Sequence, residues 1–300
     1  MRFTNCVILL VALMVFGGPV MADSTDVVVA QQKALMTFSL MDGSEMTGTI
    51  SSETDSLYMV DLTTGFKVEI PKTRVLSVRT FKGQIVEGQL YEPDPNRSRY
   101  LWSVSAFPVG REEAYCSDFC LIFPSYNFGL SDQISAQLGA MYFPGLTFEN
   151  LPIYAGLKIS LPPVRAIRTA AGVQYFSIPG LFDSEDRFGM GFLFATGTAG
   201  NQFDHLSLSL GWGFVQVDGE SQVMDRPIVV IAGNKRLNRT FALVTENWII
   251  PDSEVRQIPI SLALRFLGKQ IAVDVGGIMA LSMLEEGVLP IPIINFAYHK

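Results

Sequence analysis

Two side chains with the chemistry of a general base and a nucleophile lie two residues apart, at His205 and Ser207. Alternate residues of a β-strand point to the same face, so this spacing puts both side chains on one side of a strand. A histidine beside a serine activates the hydroxyl oxygen when a third polar group orients the ring. The sequence identifies no third member. We therefore predict no catalytic residue and keep hydrolysis only as an alternative.

A second pair of reactive side chains, Cys116 and Cys120, lies in the run Ala-Tyr-Cys-Ser-Asp-Phe-Cys. In an oxidising compartment, two neighbouring thiols usually pair when their Cα atoms come within about 7 Å. We predict a local disulfide between them. A structural zinc ion needs four ligands, and neither histidine is close in sequence. We accordingly predict no metal and no cofactor.

Opposite charges lie on two neighbouring apolar runs, at Arg265 and Asp274. Residues 258–266 and 271–275 alternate between large apolar and small or polar side chains, which predicts two paired strands. If Gly268 and Lys269 form a two-residue loop, Ala263 lies opposite Asp274 and Arg265 is its diagonal neighbour on the same face. We predict an interior ion pair, with a selectivity element as the alternative role.

The clearest alternation of the chain extends from His205 to Val215. One face carries large apolar residues, whereas the other is small or polar and includes glycines; the apolar members are Leu206, Leu208, Leu210, Trp212 and Phe214. This pattern is typical of a strand with lipid on one side and a packed lumen on the other. A sheet that covers a soluble core shows the same alternation. Both interpretations remain open at this point.

Nine weaker segments have suitable strand lengths, and with the three above they predict about twelve strands. These segments are 99–107, 121–128, 134–143, 153–161, 165–176, 188–196, 225–232, 240–248 and 289–298. Alternate connections are short, whereas the others are mostly longer and often acidic. An even strand count with short turns at one end and long loops at the other is typical of bacterial membrane barrels.

On these residues, the region 99–300 resembles the Gram-negative outer-membrane β-barrel proteins. The resemblance implies an outer-membrane location, contact with outer-membrane lipid and recognition by the barrel insertion machinery. In that family the last strand usually ends in an aromatic residue. Phe296 and Tyr298 alternate correctly here, but His299 and Lys300 follow them. Barrel lipid hydrolases of the same membrane carry a His-x-Ser pair, which the residues at 205 and 207 match.

The N-terminal residues predict export and a separate small domain. Residues 1–22 read as a secretory signal peptide, with Arg2 before an apolar run and small residues before Asp23. Residues 34–80 contain five short strand-like runs with Asp-Gly and Thr-Gly turns, and they resemble an Sm-like or SH3-like small barrel. Members of the Sm family bind RNA, but their base-recognition residues have no match here, so we interpret residues 34–80 as a periplasmic spacer or as a module that docks a periplasmic protein. Residues 81–98, with several Gly and Pro, read as a linker.

The composition excludes several classes of protein. The 300 residues have a net charge of −7, which leaves no basic surface for nucleic acid. Mean hydropathy is +0.29, yet beyond the N-terminal segment no apolar run reaches the roughly 18 residues of a spanning helix. We therefore predict an all-β, non-enzymatic outer-membrane barrel that is structural or a narrow passive pore. The alternatives are a soluble exported β-rich binding protein and an outer-membrane lipid hydrolase.

Overall fold

The computed structural model shows an all-β protein whose residues fall into two compact units, one ending at Pro93 and the other beginning at Asp94. It describes residues 34–81, 83–86, 89–144, 146, 151–179, 187–217, 220–250, 258–280, 283 and 289–300. The predicted signal peptide lies outside these ranges. Within them, no helix has the length and apolar character needed to span a membrane.

The N-terminal unit contains a five-stranded antiparallel sheet in the order β4-β3-β2-β1-β5. The strands are β1 (Leu35–Leu40), β2 (Glu45–Glu53), β3 (Leu57–Leu62), β4 (Lys67–Pro71) and β5 (Val75–Thr80). A 3-10 turn, Lys72–Arg74, separates the last two. Their bounds lie within two residues of the predicted runs. Phe38, Val60 and Ile70 form the buried centre of this sheet.

Both tight turns of this sheet use the residues that the sequence indicated. Gly43 has φ +82° and Gly65 has φ +88°, in the left-handed region that glycine adopts without strain. Beside Gly43, the Asp42 carboxylate accepts hydrogen bonds from the backbone N–H and the hydroxyl of Ser44, at 2.9 and 2.6 Å. These bonds favour the charged form and hold the pKa of Asp42 below its usual value. A separate two-stranded hairpin follows, β6 (Gln84–Val86) and β7 (Gln89–Tyr91).

The C-terminal unit is a closed antiparallel barrel, in which twelve strands of the described residues pair in a ring. These strands are β8 (Ala114–Phe119), β9 (Phe123–Gly129), β10 (Ile134–Ala140), β11 (Ile153–Ser160), β12 (Ile167–Pro179), β13 (Arg187–Gly200), β14 (Asp204–Val217), β16 (Ile228–Arg236), β17 (Phe241–Ile249), β18 (Pro259–Leu267), β19 (Ile271–Ala280) and β20 (Ile291–His299). A short strand, β15 (Glu220–Val223), folds back on the end of β14. The ring closes where β20 pairs with β8.

The barrel exposes its apolar face and buries its polar face. On β14, Leu210 and Trp212 point outward and are 46% and 45% exposed, whereas Ser207 and Ser209 point inward and are buried. The same inversion holds on β18, where Leu262 and Leu264 are exposed and Arg265 is fully buried. In a soluble sheet the apolar face would be the covered one. The barrel thus has an apolar outer surface around a polar interior.

The structure corrects the expected start of the barrel. Residues 99–107 form no barrel strand, and β8, at Ala114–Phe119, fills that place in the ring. The twelve-strand estimate agrees with the ring because one wrong segment replaced one missed strand. The loop between β18 and β19 is also one residue further along than predicted. Arg265 therefore lies directly opposite Asp274 rather than diagonal to it, and Ala263 lies opposite Gly276.

Candidate functional site

The segment that fails to join the barrel wall fills the barrel lumen instead. Residues 94–109, here called the luminal hairpin, fold back on themselves at residues 100–103. The Tyr100 N–H donates to the Ser103 carbonyl at 2.9 Å, and the Ser105 N–H donates to the Ser98 carbonyl at 3.1 Å. An isolated bridge pairs Arg99 with Val104. Tyr100, Ala106 and Phe107 are buried.

Both ends of the luminal hairpin lie at the barrel end where β8 begins and β20 finishes. Near its start, the side-chain oxygen of Asn96 accepts a hydrogen bond from Nε2 of His299 at 3.1 Å, close to the end of β20. Near its finish, the Val109 N–H donates to the Ser135 hydroxyl at 2.9 Å, at the start of β10. Between these contacts the chain rises to its tip and returns. The hairpin thus enters and leaves the lumen through one opening.

Glu246 on β17 holds the tip of the hairpin. Its Oε2 atom accepts hydrogen bonds from the backbone N–H groups of Leu101, Trp102 and Ser103, at 3.0, 3.0 and 2.9 Å. Its Oε1 atom accepts one from the indole N–H of Trp248 at 2.7 Å. Glu246 itself is buried. The carboxylate charge is therefore offset by four donors, three of which belong to the hairpin.

The rising arm of the hairpin is joined to the buried ion pair of β18 and β19. Arg265 and Asp274, both 0% exposed, approach to 2.6 Å between Nε and Oδ1. Arg99 of the hairpin adds a second cation to the same carboxylate, at 3.1 Å. Arg265 also donates to the Tyr100 carbonyl at 2.8 Å. The Asp274 carboxylate thus binds Arg265, its partner in the sequence prediction, and also Arg99. The sequence gave no reason to expect Arg99 there.

The descending arm contacts the opposite side of the wall. Lys158 on β11 donates to the carbonyls of Ser105 and Phe107, at 2.8 and 2.7 Å. The Thr198 hydroxyl on β13 accepts a hydrogen bond from the Ala106 N–H at 2.8 Å. Wall residues on several strands therefore satisfy backbone groups of the hairpin that would otherwise be buried without partners.

Small voids lie beside the hairpin in the barrel interior. Two cavities of about 30 Å³ each lie against β8 to β11, and they share the lining residues Val104, Tyr115, Asn127 and Gln137. A cavity of this size has room for only about two water molecules. On the other side, Tyr100 and Leu101 pack directly against apolar wall residues, among them Val244 and Ile293.

An aromatic cluster surrounds the tip of the hairpin. Trp102 makes edge contacts with Phe119 and Phe123, at ring-centroid distances of 5.3 and 5.2 Å, and a stacked contact with Phe176 at 5.9 Å. Tyr154 stacks on Phe176 at 5.0 Å. Edge and stacked ring pairs of this kind add favourable packing energy. The cluster holds the tip at the barrel end opposite the hairpin's entry.

The structure places His205 and Ser207 inside the lumen but does not couple them to each other. The His205 ring lies between Tyr100 and Phe107, and its Nδ1 atom is 3.2 Å from the Asn201 carbonyl. The Ser207 hydroxyl is instead 2.6 Å from both the Tyr100 and the Thr198 hydroxyls. Both residues are buried under the hairpin. This geometry offers neither an activated serine nor access for a lipid ester.

The predicted disulfide is not formed. Cys116 and Cys120 are both free thiols, the first exposed on β8 and the second at the turn that follows it. Four steps of extended chain separate their Cα atoms by about 13 Å. A disulfide requires a separation below about 7 Å. Among the described residues, no group of three or more His, Cys, Asp and Glu side chains is placed to hold a metal ion.

Sequence reasoning missed the hairpin, although one signal for it was present. Lys158 and Glu246 occupy inward positions of alternating segments, and neither has an opposite charge directly across on a neighbouring strand. A buried charge needs a partner. Unpaired inward charges in a barrel sequence therefore indicate that some other segment enters the lumen.

Matches to known proteins are found only among solved structures. No family model matches the chain, and no curated protein matches it. Outer-membrane expressed OmpT of Vibrio cholerae matches with 12% identity over 89% of this chain and 95% of that chain, at a TM-score of 0.33. A loop L8 deletion mutant of the same protein matches with 12% identity over 89% and 96%, at a TM-score of 0.34. Such values carry no conclusion about activity.

Proposed function

We propose that this protein is a non-enzymatic β-barrel of the outer membrane, structural in role and closed at rest by its luminal hairpin. The observation that carries the proposal is the apolar outer surface of the barrel, where Leu210, Trp212 and Leu264 are exposed. The lumen inside it contains the fully buried charges Arg265 and Asp274. An apolar outer band around a polar interior suits a barrel in lipid. In water, the same band would be a large exposed apolar patch.

The apolar outer surface argues against a soluble exported binding protein. Such a protein would bury the apolar faces of its strands against each other. Here the single closed sheet presents them outward instead. The lipid hydrolase is disfavoured for a separate reason, since His205 and Ser207 are buried beneath the hairpin and bonded to other residues.

The filled lumen favours a structural role over an open passive pore. A barrel of twelve strands is larger than those whose wall side chains alone fill the interior. The hairpin occupies space in that lumen, and the two cavities beside it have volumes of about 30 Å³ each. A void of this size holds only about two water molecules, which favours a closed lumen.

The N-terminal unit fits a small-barrel module on the periplasmic side. Its strand order, β4-β3-β2-β1-β5, and the 3-10 turn before β5 support the Sm-like or SH3-like assignment. Short turns of outer-membrane barrels face the periplasm, and β8 begins at the barrel end that carries the short turns. We propose that residues 1–22 direct export, that the insertion machinery assembles the barrel, and that residues 34–80 bind a periplasmic protein.

Fractionation of cells that export the full chain tests this proposal. We expect the protein in the outer-membrane fraction, soluble only in detergent, with an electrophoretic band that shifts when the sample is boiled. The shift reports unfolding of a closed barrel that resists detergent. A periplasmic protein that stays in solution without detergent would refute the proposal.

A further inference from the structure

We infer that the luminal hairpin is a removable plug, and that its withdrawal gives the barrel a further function as a conduit for small anions. The first argument is topological. Both arms of residues 94–109 leave through the same barrel end, where Asn96 meets His299 and Val109 meets Ser135. The hairpin can therefore slide out without threading a chain end through the ring and without breaking a strand pair of the wall.

The second argument concerns what the hairpin leaves behind. Its polar contacts with the wall reach side chains that face the lumen, including Lys158, Thr198, Ser207 and Glu246. Two small cavities already lie along the hairpin on the side of β8 to β11, and polar side chains such as Asn127 and Gln137 line both of them. A lumen lined by such groups hydrates readily once it is vacated.

The third argument assigns the class of solute. Five charged wall residues contact the hairpin or each other in the lumen: Lys158, Arg168, Arg265, Glu246 and Asp274. Arg265 and Asp274 neutralise each other and stay paired when Arg99 leaves. Among the described wall residues that contact the hairpin, the vacated lumen then keeps the cations Lys158 and Arg168 and the anion Glu246. This balance favours small anions, for which chloride is the probe.

The fourth argument concerns how the plug is retained. Three hydrogen bonds to the Glu246 carboxylate and two from the Lys158 ammonium hold the hairpin, together with the Arg99 to Asp274 ion pair. Bonds to charged groups are the stronger ones. The wall itself is held by continuous strand pairing, so a perturbation that competes with hydrogen bonds should release the hairpin before the wall unfolds. At rest the barrel stays closed, as in the proposed function.

A reversible crosslink tests the inference in a fully folded protein. The Ala106 N–H lies 2.8 Å from the Thr198 hydroxyl, which leaves the two Cα atoms at most about 7 Å apart, within reach of a disulfide. The variant carries Ala106→Cys and Thr198→Cys, with Cys6, Cys116 and Cys120 replaced by Ser. It is reconstituted in planar bilayers, and chloride current is measured at urea concentrations that leave the boiling-dependent band shift intact.

We expect urea to induce discrete current steps in the reduced protein, and we expect oxidation to abolish them. Under a potassium chloride gradient, the reversal potential should indicate chloride preference, and adding Lys158→Glu should shift it towards potassium. Equal currents in the reduced and oxidised states, or none in either, would overturn the plug. A potassium preference in the open state would overturn the anion assignment. The inference rests on the proposed membrane barrel, whose own failure would appear separately as a missing band shift.

Discussion

At the scale of residues, the interior depends on a few buried charges that satisfy one another. Asp274 forms ion pairs with both Arg265 and Arg99, and Glu246 accepts four hydrogen bonds from N–H groups. Paired and hydrogen-bonded charges of this kind are tolerated in a low-dielectric interior, whereas a charge that loses its partner is costly. The sensitive positions of the interior are therefore these charges.

Asp274→Asn should be strongly destabilising. The substitution leaves two buried guanidinium groups without their counter-charge, which costs about 3 to 5 kcal/mol in comparable buried pairs. The measurement is the urea midpoint of the boiling-dependent band shift. Lys235→Gln is the matched control, because the Lys235 to Asp204 pair on the same barrel is half exposed and should contribute at most about 1 kcal/mol. Equal midpoints for the two variants would contradict this account of the ion pair.

Glu246→Gln should loosen the hairpin tip while the barrel stays assembled. Each hydrogen bond to a charged acceptor contributes about 1.5 to 3 kcal/mol, so weakening three of them should raise exposure of the tip about tenfold or more. Labelling of a Ser103→Cys variant, in a background without the native cysteines, by a water-soluble maleimide measures that exposure. Glu220→Gln, an exposed change on β15, serves as the control. An unchanged labelling rate in Glu246→Gln would show that Glu246 does not hold the tip.

At the scale of elements, each barrel strand separates a lipid-facing row from a lumen-facing row. Leu210 lies near the middle of β14, a strand of 14 residues, and points outward. Leu210→Arg should cost about 2 to 4 kcal/mol if this position faces the centre of a bilayer. Refolding into lipid vesicles with a urea titration measures the cost, and Leu210→Ala is the control for lost side-chain volume. An arginine variant as stable as the alanine variant would place this face in water.

The strands that the sequence predicted well are those with a continuous period of two. From His205 to Val215 the alternation is uninterrupted, and β14 follows it. The ion pair was also foreseeable from alternation, although its register depended on a loop position that the sequence indicated one residue too early. Local spacing fixes which face a residue occupies, but a turn fixes which residue lies opposite it.

The hairpin escaped prediction because its stabilising partners are distant in sequence. Residues 99–107 alternate like a strand, and only their contacts decide that they lie inside the ring. Those contacts reach Glu246, Asp274 and Lys158, all at least 51 positions away from their partners in the hairpin. β8 was missed because its six residues mix Cys, Ser and Asp with aromatic side chains. A short strand of this kind is specified mainly by its neighbours.

At the scale of the whole molecule, the size of the barrel explains why a hairpin lies inside it. A closed ring of twelve strands leaves a lumen that wall side chains alone do not fill. Residues 94–109 supply the missing interior, and the wall supplies partners for their backbone groups. The chain continues directly from the N-terminal unit at Pro93 into the hairpin at Asp94, so the N-terminal unit is covalently joined to the hairpin.

The most direct test of the central claim uses the three tryptophans of the chain. Trp212 points outward from β14, whereas Trp102 belongs to the hairpin and Trp248 bonds Glu246 inside the lumen. Variants that keep one tryptophan each, with Phe at the other two positions, are reconstituted in vesicles with brominated acyl chains. We predict strong quenching of Trp212 fluorescence by these lipids and little quenching of Trp102 or Trp248. Quenching of the two interior tryptophans instead of Trp212, or of none of the three, would contradict the membrane barrel described here.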